Sequence, residues 1–125
     1  MNHIPSPDTS DAGIERLIQT KGKTAARVTP QDIERAITSE HYFTAGQAVE
    51  QQTAPHEQIP TSLYLLTFCV LTMRNGFTVT GESACASPEN FDVQIGRAIA
   101  RENAVQKIWP LLGYELRTKL AAEEG

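Results

Sequence analysis

The feature that most constrains this chain is an Asn-Gly pair, Asn75-Gly76, between two β-prone runs. Residues 65–73 precede the pair and residues 77–85 follow it, and both runs contain threonine, valine and phenylalanine. Asn and Gly tolerate the positive φ angles that a type I′ turn demands at both of its central positions. The pair therefore predicts a β-hairpin with a two-residue loop.

A two-residue loop also fixes which residues face each other across the hairpin. It places Cys69 opposite Glu82 and Cys85 opposite Leu66. Since side chains alternate between the faces of a strand, the two cysteines are expected to be free, buried thiols and not a disulfide. The predicted core face consists of Leu66, Phe68, Val70, Phe77, Val79 and Ser83. The predicted opposite face consists of Cys69, Leu71, Met73, Thr78, Thr80 and Glu82.

A helical pattern follows the hairpin, and Ser87 and Pro88 are favourable residues for its start. Its apolar residues are expected to cover the Phe68/Phe77 face of the hairpin. These residues are Phe91, Ile95, Ala98, Ile99, Val105, Ile108 and Trp109. Pro110 is expected to end or kink the helix, with a last short helix running to residue 122. Gly81 and Gly96 would be costly in a strand and a helix unless the backbones approach closely there.

Upstream of the hairpin the signals are weaker. Residues 1–9 are rich in proline and serine and are expected to be disordered, and residues 11–20 show helical spacing. Residue 29 is a favourable cap for a helix ending near residue 40, residues 41–44 are β-prone, and residues 48–61 resemble a loop. We therefore predict a flexible tail over residues 1–28 that includes a short helix. Residues 29–125 are expected to form one α+β domain, a hairpin or small antiparallel sheet packed by a long C-terminal helix, with its core motif at residues 63–120.

Composition limits the classes of function. The chain has 125 residues and a formal net charge of -4, which disfavours sequence-independent binding to nucleic acid. No apolar run reaches the roughly 18 residues of a membrane span, and the first residues lack the pattern of a secretory signal. We therefore expect a location in the cytoplasm.

The hairpin and the helix together resemble a known family. The residues that carry the resemblance are residues 66–71, 75–85, 88–92, 95–97, 107–111 and 113–114, and residues 40–45 agree with the family's upstream segment. This pattern closely resembles the small tailed-phage and prophage proteins grouped as the gene product 49/66 family. The resemblance implies a phage accessory protein that works in the host cell cytoplasm. It implies no catalytic residues.

The first candidate site is the row of polar side chains on the second strand. Thr78, Thr80 and Glu82 share one face, and Ser83 lies at the same end on the opposite face. Hydroxyl and carboxylate groups beside apolar residues suit a nucleobase and its sugar. The alternative is a solvent-facing strand in which the threonines are present because threonine favours the β conformation. Glu82 itself is expected to form a structural ion pair or, less readily, to act in acid/base chemistry.

The second candidate site is a basic edge on the helix. Arg97 and Arg101 are one turn apart, with Lys107 further along, and two guanidinium groups at this spacing can bind phosphate oxygens. The alternative is an ordinary solvated helix face, partly neutralised by Asp92 and Glu102. No metal or cofactor is expected, because the histidines are scattered and no metal-ligand or nucleotide-binding motif occurs. Enzymatic activity is likewise not expected.

A hairpin strand that is apolar on both faces needs cover on both sides, so we expect a homo-oligomer that buries the Leu71/Met73/Thr80 face. The first hypothesis is a non-enzymatic counter-defence protein that sequesters a small cyclic nucleotide in clefts between its copies. The second is a protein that inhibits or modulates a host cytoplasmic protein, with the helix at residues 11–20 as its docking element. DNA or RNA binding ranks third, because the sequence lacks a basic, aromatic stripe.

Overall fold

The computed structural model describes residues 10–125, and the expected disordered tail at residues 1–9 lies outside the described residues. The helices are α1 (Asp11–Thr20), α2 (Pro30–Ala36), α3 (Ala45–Glu50) and α4 (Val93–Glu124). The strands are β1 (Ile37–Thr44), β2 (Leu66–Met73) and β3 (Thr78–Ala84), and two 3-10 helices cover Thr61–Leu65 and Pro88–Asn90.

The three strands form one antiparallel sheet in the order β1-β2-β3, and α4 packs across β2 and β3 on one face of it. This arrangement confirms the predicted α+β class, the hairpin and the long C-terminal helix. Among residues 10–125, no helix combines the length and the apolarity that crossing a bilayer requires.

The hairpin loop differs from the predicted one. The amide of Met73 donates to the carbonyl of Phe77 (2.7 Å), and the amide of Gly76 donates to the carbonyl of Met73 (2.9 Å). Gly76 has a φ of 90°, whereas no described residue other than glycine has a positive φ. The loop is therefore a type I turn followed by a left-handed glycine, which makes three loop residues and not two. Asn75 supports the turn by accepting a hydrogen bond from the amide of Phe77 (3.0 Å).

The extra loop residue shifts the register by one and exchanges the two faces of β2 relative to the prediction, whereas Val79 and Ser83 of β3 stay on the core side. Phe68 pairs with Glu82 and Cys69 pairs with Gly81, so the predicted pairing of Cys69 with Glu82 is wrong. The face beneath α4 carries Thr67, Cys69, Leu71, Met73, Val79, Gly81 and Ser83. The other face, called here the open face, carries Leu66, Phe68, Val70, Thr72, Thr78, Thr80 and Glu82. Both cysteines are free as predicted, but only Cys69 is buried and Cys85 is half-buried.

The same exchange corrects the expected subunit interface. Leu71 and Met73 are 0% and 6% exposed beneath α4, so they offer no surface to a second copy. Thr80, the third residue of that predicted interface, points to the open face instead. A face-to-face contact between copies through this sheet would use the open face.

Small residues let α4 lie close to the sheet. A Cβ atom at Gly81 would stand 2.1 Å from the carbonyl oxygen of Ala100 and 2.3 Å from the nitrogen of Ala104, and one at Gly96 would stand 3.0 Å from the hydroxyl of Thr67. The predicted close approach at both glycines is therefore confirmed. The buried residues of α4 are Gly96, Ala100, Ala104, Val105 and Ile108.

The face of α4 predicted to be buried is only partly so. Ile95 and Ile99 are 59% and 47% exposed, so their assignment to the core is wrong, whereas Ile108 is buried as expected. The reason is steric, because an interface that brings helix and strand backbones together accepts Ala and Gly and excludes Ile.

The long helix also begins and ends differently from the prediction. Asp92 caps it by accepting a hydrogen bond from the amide of Ile95 (2.8 Å), whereas the start expected at Ser87 is a single 3-10 turn. The helix continues through Pro110 to Glu124 without a second, separate helix. Its buried residues all lie at or before Ile108. Residues 111–124, called here the distal half of α4, therefore extend beyond its most buried contacts.

The N-terminal elements surround this core. Helix α1 has the predicted bounds, and Asp11 accepts a hydrogen bond from the indole nitrogen of Trp109 (3.3 Å). Helix α2 starts with the predicted Thr29 cap but ends at Ala36, because β1 begins at the next residue and includes Glu40. The predicted loop at residues 48–61 begins later, after α3.

Candidate functional site

The structure places the predicted site residues in two groups on opposite sides of the sheet. Thr78, Thr80 and Glu82 are exposed on the open face, whereas Arg97 and the other predicted cations lie on α4, on the opposite side. Ser83 is half-buried on the α4 side, next to that helix. One chain alone therefore does not bring the predicted base-binding and phosphate-binding residues together.

Arg101 joins three elements. Its guanidinium lies 2.7 Å from a carboxylate oxygen of Glu40 on β1 and 2.8 Å from one of Glu34 on α2. These bonds hold the pKa of the Glu40 carboxyl below its usual range and raise the pKa of Arg101. Two carboxylates already neutralise this guanidinium, so its main effect is to hold α2, β1 and α4 together.

Arg97 has a different environment one helical turn earlier. Its guanidinium carbon lies 5.5 Å from the centre of the Tyr42 ring, in a cation–π arrangement. Among residues 10–125, no carboxylate forms an ion pair with Arg97 or with Lys107, and both side chains are exposed. Their charges are therefore available to an anion, whereas that of Arg101 is not.

Tyr42 links these two arginines. Its hydroxyl donates to Glu40 (3.2 Å), the carboxylate that also binds Arg101. Burial, followed by the nearby Cys69 and Glu40, raises the pKa of Tyr42 to about 12. The phenol is therefore a neutral donor at physiological pH, and its ring has a fixed orientation beneath Arg97.

The open face adds an aromatic platform. The rings of Phe43 on β1 and Phe68 on β2 stack with centroids 5.5 Å apart and an interplanar angle of 21°. Both are half-buried, and Phe68 lies directly opposite Glu82, beside exposed Thr80. Aromatic rings next to hydroxyl groups can hold a planar ring and its polar substituents.

The sequence predictions missed Tyr42 and Phe43 as site residues. The segment at residues 41–44 has a β-prone sequence, but its partner strand begins more than twenty residues later in the chain, and spacing alone does not identify such a partner. The only local signal is that Tyr42 and Phe43 are adjacent aromatic residues, which a strand presents on opposite faces.

A larger groove lies at the tip of the hairpin. It has a volume of about 810 Å³ and lies between the hairpin loop, α2 and the distal half of α4. Its apolar lining consists of Val28, Ala36, Met73, Phe77, Leu111, Leu112 and Leu116. Its charged lining consists of Arg27, Asp32, Arg35, Arg74, Glu115 and Lys119. Sequence reasoning missed this groove because its walls come from both ends of the chain.

The structure gives little support for a nucleophile or a metal site. Burial raises the pKa of the Cys69 thiol, which makes it a poor nucleophile, and the side chain is fully buried. Within the part of the chain that the structure describes, no three His, Cys, Asp or Glu side chains are grouped as metal ligands. The exposed features are thus an arginine over an aromatic ring, an aromatic sheet face and a basic groove, all of which suit binding.

Comparison with known families agrees with the resemblance seen in the sequence. Residues 28–120 match the model described as "Phage protein (N4 Gp49/phage Sf6 gene 66) family", a match that covers well over half of the chain and includes the sheet and nearly all of α4. Helix α1 lies outside the matched residues. Comparison with curated proteins and with solved structures gave no significant match. The chain belongs to the phage protein family of N4 Gp49 and phage Sf6 gene 66.

Proposed function

We propose that this phage protein is a non-enzymatic counter-defence protein that sequesters a small cyclic nucleotide signal in the cytoplasm of the host. The observation that carries the proposal is Arg97, an exposed guanidinium with no carboxylate partner among the described residues, which lies over the ring of Tyr42. A guanidinium fixed on an aromatic ring can bind phosphate oxygens through its free edge. It also offers a flat surface to a nucleobase.

Lys107 is a further exposed cation on α4. It lies ten residues after Arg97 on α4, which corresponds to about 15 Å along a helix. Its ammonium is exposed and forms no ion pair within residues 10–125. Two separated cations suit a ligand with more than one phosphate, as cyclic oligonucleotides have. Arg101 lies between them and has a positioning role, because Glu34 and Glu40 already bind it.

The base and sugar would bind to the open face of a second copy. Thr78, Thr80 and Glu82 present hydroxyl and carboxylate groups there, beside the stacked Phe43 and Phe68. Because these residues and Arg97 lie on opposite sides of the sheet, a single cleft that contains both requires two copies. The ligand-binding form in this proposal is therefore a homo-oligomer, with half-buried Ser83 of β3 at the edge of the cleft.

Isothermal titration of the purified protein with cyclic dinucleotides, cyclic trinucleotides and cyclic forms of ADP-ribose tests the proposal. We expect one member of the panel to bind with micromolar or tighter affinity, and Arg97→Ala to weaken that binding at least tenfold. Arg117→Ala is the matched control, because Arg117 pairs with Glu124 at the far end of α4. No binding at tens of micromolar, or equal binding by the Arg97 variant, would contradict the proposal.

The copy-to-copy cleft is tested separately by the mass in solution. Thr80→Arg places a long cation at an exposed position of the open face. We expect the wild-type protein to be a dimer or larger by light scattering, and the variant to have a lower mass and weaker nucleotide binding. A nucleotide that is consumed and not merely bound would indicate an enzyme instead.

A second candidate function rests on α1. Ile14 and Leu17 are 45% and 48% exposed on this helix, which lies outside the residues that match the family. Exposed apolar residues at helical spacing are typical of a helix that docks into a partner. In this alternative the protein modulates a host cytoplasmic protein. A pull-down from host lysate compares the wild type with the Ile14→Ser/Leu17→Ser variant. This alternative would be favoured if the variant fails to capture one specific protein that the wild type captures, and if the wild type binds no nucleotide.

A further inference from the structure

We propose that the groove at the hairpin tip is a separate binding site for a small organic anion with an apolar body. The groove shares no residue with the candidate nucleotide cleft, so this inference goes beyond the proposed function and does not depend on it. Its volume of about 810 Å³ lies within the range of small-molecule sites in proteins, about 300–1,000 Å³.

The apolar part of the ligand would lie along α4. Leu111, Leu112 and Leu116 line this wall, and exposed Phe77 and buried Met73 line the hairpin side. Leu111 and Phe77 are 39% and 57% exposed, so the groove leaves apolar surface in contact with water. An apolar ligand that covers these side chains removes their surface from water, which favours binding.

The charges of the groove select an anion. Its lining has four cations and two carboxylates, although the whole chain has a net charge of -4. Arg27 and Arg35 are already paired with Glu15 and Asp32. Two cations remain without an ion pair among residues 10–125.

These two cations are Arg74 at the hairpin tip and Lys119 on α4. Arg74 donates a hydrogen bond to the carbonyl of Arg35, which fixes its side chain without neutralising it. Lys119 lies one helical turn after Glu115, which compensates only one of the two charges. An anionic head group between the two walls would neutralise the remaining positive charge.

The length of the groove favours a small molecule over a partner helix. The wall formed by α4 extends from Leu111 to Lys119, about 12 Å at the rise of a helix. The average helix of a globular protein has three to four turns, which is longer than this wall. A single anion with a short chain or ring fits within it.

Decyl phosphate is a suitable probe, and decyltrimethylammonium is its control because it has the same chain and the opposite charge. We expect the full-length protein to bind monomeric decyl phosphate at micromolar concentration and to bind the cationic analogue at least tenfold more weakly. The Arg74→Ala/Lys119→Ala variant should lose about tenfold in affinity for decyl phosphate only. Methyl signals of Leu111, Leu112 and Leu116 should shift in NMR spectra, whereas those of Ile14 and Ile18 on α1 should not.

Two control variants separate this site from the others. Arg117→Ala, on the same half of α4 but outside the groove, should bind decyl phosphate as the wild type does. Arg97→Ala should also bind it normally, so this test is independent of nucleotide binding. Equal affinity for the two amphiphiles, or unchanged binding by the double variant, would overturn the proposal. Sedimentation with phosphatidylglycerol vesicles, without binding of monomeric decyl phosphate, would also overturn it and indicate a lipid surface as the partner.

Discussion

Gly81 and Gly113 are two glycines at which an added methyl group would have opposite effects. At Gly81 the methyl would overlap the backbone of α4, 2.1 Å from the carbonyl oxygen of Ala100, and backbone atoms cannot move aside as a flexible side chain can. At Gly113, in the distal half of α4, no atom lies within 4 Å of the added methyl. The comparison therefore isolates the packing of the helix on the sheet.

We predict that Gly81→Ala lowers the free energy of unfolding by about 3 kcal/mol, because the strand and the helix must separate. Gly113→Ala should raise it by up to about 1 kcal/mol, because alanine is the better helix former. Urea denaturation followed by circular dichroism measures both. Equal stability of Gly81→Ala and the wild type would mean that α4 does not approach β3 as closely as described.

Tyr42 gives the protein a specific sensitivity to alkaline pH. Its pKa is about 12 in the folded state, against about 10 in the unfolded chain. Between these values the folded protein retains a proton that the unfolded chain has lost. The stability due to this proton is fully present below pH 10 and is lost as the pH rises towards 12.

We predict that the unfolding free energy of the wild type falls more steeply between pH 10 and 12 than that of Tyr42→Phe, by up to about 1.4 kcal/mol per pH unit. Urea denaturation at several pH values measures the difference. Tyr114→Phe is the matched control, because Tyr114 is 79% exposed. Parallel curves for the wild type and Tyr42→Phe would contradict the assignment.

At the scale of elements, the sequence identified the hairpin, α1, the start of α2 and the long helix, because each has a local signal. Thr29 and Pro30, for example, form the expected cap and first turn of α2. The register of the hairpin was missed because an Asn-Gly pair also occurs in a three-residue loop, where only the glycine needs a positive φ. Local sequence does not distinguish these two loops.

The buried face of α4 was missed for a related reason. Hydrophobic spacing assigns large apolar residues to the core, whereas the backbone of α4 approaches Gly81 closely at Ala100 and Ala104, and Gly96 packs against Thr67. The partner of such a helix face has to be known before small residues can be recognised as its contacts. For the candidate site, Arg97 and Lys107 were identified as available cations, but the pairing of Arg101 with Glu34 and Glu40 depends on long-range packing.

The distal half of α4 is expected to be the least protected part of that helix. Pro110 has no amide hydrogen, so the carbonyl of Gln106 lacks its helical partner, and none of residues 111–124 is fully buried. We predict that amides of residues 111–124 exchange with solvent faster than those of residues 96–108, as measured by NMR or mass spectrometry.

Pro110→Ala should slow exchange in the distal half by about tenfold or more, because it restores the missing hydrogen bond. Lys107→Ala, at an exposed position before the proline, should leave the exchange nearly unchanged. Similar protection along the whole helix of the wild-type protein would show that the distal half is held by further contacts.

At the scale of the whole molecule, we expect the core to fold without α1. The buried cluster contains no residue of α1, and the contacts of α1 with the rest include the Asp11–Trp109 hydrogen bond and the Glu15–Arg27 ion pair. Removal of residues 1–22 should therefore cost only about 1–2 kcal/mol and leave the sheet and α4 intact.

Trp109 is the only tryptophan in the chain, so its fluorescence reports on this removal directly. We expect the emission of the truncated protein to shift to longer wavelength, because Trp109 loses its cover, while the circular dichroism per residue is maintained. Asp11→Ala, which removes the hydrogen bond alone, should produce a smaller shift. A truncated chain that is unfolded would show that α1 is part of the folding unit.

The three-residue turn at the hairpin tip has a consequence for how relatives of this protein diverge. A deletion or insertion of one residue there would shift the pairing of the second strand by one position. The side chains of that strand that now face the helix would then face solvent, and those that now face solvent would face the helix. Family members with a different loop length must therefore be compared by strand pairing and not by position number. A threonine aligned with Thr80 in such a relative would point into the interior.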